Sequence, residues 1–126
     1  MITAYALPER CVAFAVALSA LPDSQLIRPT TVGTMPAAVQ DVALIVDSSV
    51  SAQDVAAALR AGAGELLESI TLFDRYDKIG DGKVSLAFSM VFRAQDRTLT
   101  GEEVKVMRES ATDAAAAKCG AVLRTA

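Results

Sequence analysis

The sequence predicts an α+β domain with the element order βαββαβ, in which a four-stranded antiparallel sheet carries two helices on one face. Three observations support this prediction. Two apolar segments with helical spacing each follow a serine or threonine suited to cap a helix, other segments alternate with the period of a strand, and a short glycine-containing turn joins two of those strands. The other face of such a sheet carries no helix, so it is the surface on which a ligand, an RNA or another domain would dock.

The first strand is predicted from Val39, in the segment VQDVALIVD, where apolar residues alternate with others. Ser51 then begins a helix, because its side chain can cap free backbone amides and Asp54 follows three residues later as an imperfect capping-box partner. The region from Gly62 to Gly64 is predicted to end this helix.

The second and third strands are predicted in Leu66 to Asp77 and in Lys83 to Arg93, and the sequence KIGDG between them indicates a hairpin. The third strand alternates most clearly. Its larger apolar residues share one face, which should be buried, and its smaller and charged residues share the other. The face predicted to be buried holds Leu86, Phe88, Met90 and Phe92.

A second helix is predicted from Thr100, which forms a capping box with Glu103, to Gly120. Val104, Met107, Ala111 and Ala114 supply its apolar spacing. A last short strand, Ala121 to Arg124, completes the βαββαβ order.

The first 35 residues are expected to lie outside this domain, which would comprise residues 36–126. Arg10 to Ser19 alternates larger apolar residues with smaller ones, so we expect an extended strand that belongs to a preceding domain. Leu21 to Pro36 follows with three prolines, a glycine and several small polar residues, a composition typical of a linker.

The composition argues against catalysis and against a metal site. The 126-residue chain contains no His and no Asn, which excludes Ser-His-Asp and Cys-His nucleophilic sites and histidine metal ligands. Its two cysteines, Cys11 and Cys119, lie far apart in sequence and are expected to be reduced thiols. No apolar run approaches the roughly 20 residues of a membrane helix, so we expect a soluble, cytoplasmic, non-catalytic chain without a cofactor.

The charge is unevenly distributed along the chain. The net charge is −3, which argues against a protein that holds nucleic acid by bulk electrostatics. Residues 1–74 carry 3 basic and 8 acidic side chains, a balance of −5, whereas residues 75–126 carry 9 basic and 7 acidic side chains, a balance of +2. An anionic partner should therefore meet the second half of the chain.

Asp74 and Tyr76 form the most suggestive pair of polar residues. A tyrosine ring can stack on a base, and a carboxylate can accept two hydrogen bonds from the N1 and N2 edge of guanine. The plainer interpretation is that Tyr76 packs near a strand end and that Asp74 is a solvated residue near a turn. Simple alternation also places both residues on the face of Ile70 and Leu72, so either a bulge intervenes or the strand end is partly covered.

Four blocks of the sequence, in order, resemble a known family. They are PAAVQDVALIVD, ELLESITLFDRYD, GKVSLAFSMVFRAQDRTLTGEEV and the terminal LR. Together they are similar to the ferredoxin-fold anticodon-binding domain that ends the β subunit of bacterial phenylalanyl-tRNA synthetase. The resemblance implies a ferredoxin-like split sandwich and a binding role, with ATP, magnesium and the aminoacylation site belonging to the parent α2β2 ligase.

The resemblance also implies which residues meet RNA. The partner would be the anticodon loop of phenylalanine tRNA, whose first anticodon base is guanine. Tyr76 would stack on that guanine and Asp74 would read its edge. Ser85 would contribute a hydroxyl, Ala43 a backbone group, and Arg124 a charge near base or phosphate.

Two departures from the family pattern stand beside the resemblance. Gln40 occupies a position where the family usually has Arg, and Gly101 replaces the usual acidic residue after Thr100. Two alternatives share the fold: a regulatory amino-acid sensor of the ACT type, and a protein-interaction domain that uses the sheet face. The sensor generally needs glycine after the first strand, where this chain has DSSVS.

Overall fold

The computed structural model of the chain describes residues 11–22 and residues 33–124. The chain divides into two units between residues 31 and 32. In the first part, Leu18–Ala20 form a single turn of 3-10 helix, in which the Ala20 N–H donates to the Ala17 carbonyl at 2.9 Å.

The strand predicted at Arg10 to Ser19 is wrong for the residues that the structure describes, Cys11 to Ser19, which contain no strand. Val12 and Phe14 are 94% and 90% exposed, so the alternating side chains define no buried face. A period of two specifies a strand only where one face is buried and the backbone is paired, and the alternation alone supplies neither condition. Arg10 and most of the predicted linker lie outside the described residues.

The second part has the predicted βαββαβ order and is a ferredoxin-like α+β fold. The antiparallel sheet has the spatial order β2-β3-β1-β4. Among the described residues, no helix is both long enough and apolar enough to cross a membrane. The elements are β1 (Ala38–Asp47), α1 (Ala52–Ala63), β2 (Leu67–Gly80), β3 (Lys83–Phe92), α2 (Gly101–Cys119) and β4 (Val122–Leu123).

The two central strands, β1 and β3, build the side of the sheet that faces the core. The four apolar residues predicted to be buried on β3 are each at most 1% exposed. Two of them pair with core residues of β1, Leu86 with Leu44 and Phe88 with Val42. Burying side chains of this size stabilises a fold by about 1.5–3 kcal/mol each, so this alternation anchors the sheet.

The hairpin between β2 and β3 is tighter than predicted, because β2 continues to Gly80, which pairs with Lys83. Only Asp81 and Gly82 lie in the loop, with φ of 52° and 68°. A two-residue turn with positive φ at both positions matches the twist of antiparallel strands, and Asp-Gly is a favoured sequence for it.

Both predicted helix caps are present. The Ser51 hydroxyl accepts a hydrogen bond from the Asp54 N–H at 3.1 Å, and Thr100 and Glu103 form a reciprocal capping box. The end of α1 differs slightly from the prediction, since Gly64 is the C-cap and Gly62 lies inside the helix.

Gly62 lies where α1 crosses α2. A β-carbon at this position would be 2.5 Å from the carbonyl oxygen of Ser110 and 2.6 Å from the β-carbon of Ala114. The Ser110 hydroxyl donates to the carbonyl oxygen of Gly62 at 2.8 Å. The two helices therefore approach so closely that only glycine fits. This explains why glycine, which is unfavourable inside a helix, occupies the position.

We expect Gly62→Ala to lower the free energy of unfolding by about 1–3 kcal/mol, because the added methyl group meets backbone atoms and forces the helices apart. Gly101→Ala is the matched control, since a β-carbon at Gly101 meets nothing within 4 Å. That variant should be neutral or stabilising by up to about 1 kcal/mol. Urea unfolding followed by circular dichroism measures both, and equal effects would contradict the close helix crossing.

Glu103 is the most strongly perturbed ionisable group in the described part of the chain. Its carboxylate accepts a hydrogen bond from Arg97 at 2.9 Å and others from the backbone N–H and hydroxyl of Thr100 at 2.9 and 2.8 Å. The Arg97 guanidinium, followed by the two Thr100 donors, lowers the pKa of Glu103 from 4.5 to about 2. The folded start of α2 therefore stabilises the ionised form of the Glu103 carboxylate.

Because folding lowers the pKa of Glu103, its contribution to stability is fully present above about pH 4.5 and is lost as the pH falls towards about 2. We expect Glu103→Gln to destabilise the chain at neutral pH, with a difference from wild type that shrinks across this range. Glu102→Gln removes the same charge from the same helical turn and is the control. The check is urea unfolding at several pH values; a pH-independent difference for Glu103→Gln would contradict the assignment.

Candidate nucleic-acid interface

The sheet face opposite the helices, which we call the open face, carries mostly small and polar side chains along its centre. On β3 these are Ser85, Ala87 and Ser89, which alternate with the buried residues of the same strand. Strand pairing places Ala43 of β1 beside Ala87 and Tyr76 of β2 beside Ser85. Because neighbouring strands pair in register, the open face consists of rows of side chains that run across the sheet.

A β-bulge on β2 decides which side chains of that strand reach the open face. Leu72 pairs with the core residue Phe88, but Asp74 pairs with Ala87, so Phe73 is an extra residue with no partner in the ladder. An extra residue reverses the alternation beyond it. Asp74 and Tyr76 therefore lie on the open face, opposite to the face of Ile70 and Leu72, and the bulge considered from the sequence is present.

The predicted site residues lie in two neighbouring rows of the open face. The first row runs from Arg124 through Ala43 and Ala87 to Asp74. Arg124 follows β4, and its N–H donates to the carbonyl oxygen of Ala43 at 2.8 Å, which sets it opposite Ala43. The second row runs across the sheet from Val122 through Ile45 and Ser85 to Tyr76.

The first row has opposite charges at its ends. With strands about 4.8 Å apart, three strand spacings separate the backbones of Asp74 and Arg124 by about 14 Å. Both side chains are exposed, and neither takes part in the ion pairs found among residues 33–124. The nearest cation along β2, Arg75, is held instead by Asp77 at 2.8 Å. The row thus offers an acceptor at one end and a donor at the other.

The five predicted residues differ in how much they expose. Tyr76 is 45% exposed, so part of its side chain is accessible to a ligand. Ser85 is only 4% exposed between Ile45 and Tyr76, so its hydroxyl presents little surface. Ala43 is half-buried, and its carbonyl already accepts from Arg124, which leaves one lone pair on that oxygen.

Ala87 is a residue of the first row that the sequence did not single out as a candidate site residue. Ala87 is half-buried and occupies the first row between Ala43 and Asp74. Nothing in the local sequence distinguishes it from any other small strand residue. The signal that identifies it is the pairing register, which becomes visible only when the positions of all four strands are known.

Comparison with known proteins identifies the family of this domain. Residues 33–124 match the model of the family described as the ferredoxin-fold anticodon binding domain. The chain is similar to proteins named phenylalanine–tRNA ligase β subunit: that of Corynebacterium jeikeium is 52% identical over 120 residues, 94% of this chain. Those of Thermobifida fusca and Streptomyces avermitilis are 48% and 50% identical over 98% and 94% of this chain.

The chain spans only 14% to 15% of the length of these relatives. The family model, in contrast, covers most of the chain, including every strand, both helices and all five predicted site residues. The resemblance inferred from the sequence is therefore confirmed, and the chain belongs to the ferredoxin-fold anticodon-binding domain family.

Proposed function

We propose that this domain binds the anticodon loop of phenylalanine tRNA on its open face and recognises the guanine at the first anticodon position. Binding there would support aminoacylation carried out elsewhere in a phenylalanine–tRNA ligase. The observation that carries the proposal is the bulge at Phe73, which turns Asp74 and Tyr76 together onto the face that lacks helices. A strand without the bulge would direct both side chains towards the helices.

The proposed chemistry of recognition follows from the residue types. The partly exposed Tyr76 would offer a stacking surface, and base stacking on an aromatic side chain contributes about 1–3 kcal/mol. The Asp74 carboxylate, one row away, accepts from the two N–H groups on the Watson–Crick edge of guanine. Cytosine presents no such pair of donors, so Asp74 would supply selectivity while Tyr76 supplies affinity.

The other predicted contacts have supporting roles in the proposal. Arg124, at the far end of the first row, would donate to a base or a phosphate oxygen. The Ala43 carbonyl would accept a hydrogen bond from the RNA through its second lone pair. The Ser85 hydroxyl would donate or accept one. Because few cations line this face, we expect binding that is weak in isolation and sensitive to salt.

The rest of the catalytic assembly lies beyond these residues in the proposal. The relatives are β subunits of a ligase, and the chain corresponds to about one seventh of their length. ATP, magnesium and phenylalanine would bind to other parts of that enzyme, including its α subunit. We further propose an α2β2 assembly and a cytoplasmic location, in line with the resemblance of the sequence.

The alternatives from other functional classes find less support. An ACT-type sensor would place an effector at the loop after β1, but that loop holds Asp47 and Ser49 in a local hydrogen bond of 2.9 Å and contains no glycine. A protein-interaction domain would explain an open face but gives no role to a carboxylate and a tyrosine in adjacent rows. It predicts that RNA binding tolerates the loss of either side chain.

The test is titration of the chain with a phenylalanine anticodon stem-loop and with a variant in which the first anticodon guanine is cytosine. We expect Asp74→Asn to reduce the preference for guanine by about tenfold or more, since a bidentate contact is worth about 1–3 kcal/mol of discrimination. Tyr76→Ala should weaken binding to both RNAs, whereas Tyr76→Phe, which keeps the ring, should bind nearly as wild type.

Asp81→Asn is the matched control, because it makes the same charge change in the hairpin turn, where asparagine tolerates a positive φ. It should leave the preference for guanine unchanged. Amide NMR shifts measured at high RNA concentration detect weak binding and map it. Equal affinity of wild type for the two RNAs, or shift changes confined to the helices, would falsify the proposed function.

A further inference from the structure

Small side chains lie together at the centre of the open face, and we call this group of residues the floor. Ala43 and Ala87 lie side by side in the first row, and Ser85 and Ser89 flank Ala87 along β3. Larger side chains lie beside this floor, namely Tyr76 and Asp74 on β2 and Ile45 on β1.

We propose that Ala87 is a specificity-determining residue, whose small side chain lets a planar base lie between Asp74 and Tyr76 on one side and Arg124 on the other. This inference rests on the proposed function and extends it to a residue outside the predicted set. A base that reaches the Asp74 carboxylate from the direction of Arg124 passes over the β-carbon of Ala87, because Ala87 is the direct neighbour of Asp74 across the sheet.

The fold itself does not require alanine at this position. The helices lie against the other face of β3, so the β-carbon of Ala87 meets no core residue from that side. Half-buried strand positions favour β-branched residues, which pack well on a pleated surface, whereas alanine is disfavoured there. Local stability would therefore select a larger residue, and the small one is better explained by the space above it.

The side chains around Ala87 indicate the shape of the ligand. The floor has four small side chains, and the charged groups in its rows are the carboxylate of Asp74, the guanidinium of Arg124 and the carboxylate of Asp41, which lies beside Ser89. A floor of small, uncharged side chains with a carboxylate at its edge fits an aromatic ring with N–H donors on one edge. A phosphate group alone would gain nothing from such a floor and would be repelled by Asp74.

The test is a series at position 87 in the 126-residue chain, titrated with the guanine and cytosine stem-loops. Ala87→Ser should bind as wild type. Ala87→Val and Ala87→Leu should weaken binding of the guanine stem-loop progressively, by about tenfold or more for leucine, because the added carbon atoms lift the base away from Asp74. The preference for guanine should fall in parallel.

The control is Val91→Leu, which enlarges a half-buried side chain on the same face of β3 but two positions beyond Ser89. It should change affinity by less than about threefold. Thermal unfolding should show that Ala87→Val is at least as stable as wild type, which separates a binding defect from a folding defect.

The outcomes distinguish this inference from the function on which it rests. If wild type prefers guanine and Ala87→Leu keeps both affinity and preference, the role inferred for Ala87 is wrong and the proposed function stands. If wild type shows no preference between the two RNAs, the proposed function is wrong and Ala87 has no base to accommodate. A graded loss across serine, valine and leucine with unchanged unfolding supports the inference.

Discussion

The pairing of β3 with a strand on each side is the constraint on which the rest of the structure depends. Large apolar residues fix one face of β3 in the core, so the residues between them have no choice but to face outwards. Register then transmits this orientation to β1 and β2. The positions of Ala43, Asp74 and Tyr76 are consequences of which residues of β3 are buried.

The bulge at Phe73 adjusts this constraint on one strand. Before it, β2 presents Leu67 and Ile70 towards the helices and contributes to the core. Beyond it, the strand presents the predicted site residues Asp74 and Tyr76 on the opposite face while remaining paired with β3. One inserted residue therefore lets a single strand serve the core along one half and the candidate site along the other.

Much of this architecture was predictable because its signals are local. The capping residues Ser51 and Thr100, the Asp-Gly turn and the alternation of β3 each act within a few residues, and the structure confirms them. The bulge was visible only as a conflict of parity, since no residue type marks the inserted position. The sequence placed Ala87 on the outward face of β3, but its position between Ala43 and Asp74 depends on pairing with two other strands.

The strand predicted at Arg10 to Ser19 was wrong because a strand also depends on the segments around it. Val12 and Phe14 alternate as convincingly as the residues of β3, yet they lie outside any strand in the described residues. Alternation reports which side chains would share a face if the backbone were extended and paired. It does not report whether a pairing partner exists. The strands within residues 38–123 have such partners in their neighbouring strands.

Because β4 is short, the two sides of the open face are held in place by very different numbers of paired residues. Asp74 and Tyr76 stand on a strand of 14 residues, whereas Arg124 follows a strand of two residues and is tethered by one backbone hydrogen bond to Ala43. Segments with few paired residues open at low free-energy cost. Under the proposed function, we therefore expect a base to bind first at the long strand β2, and the segment that carries Arg124 to become ordered last.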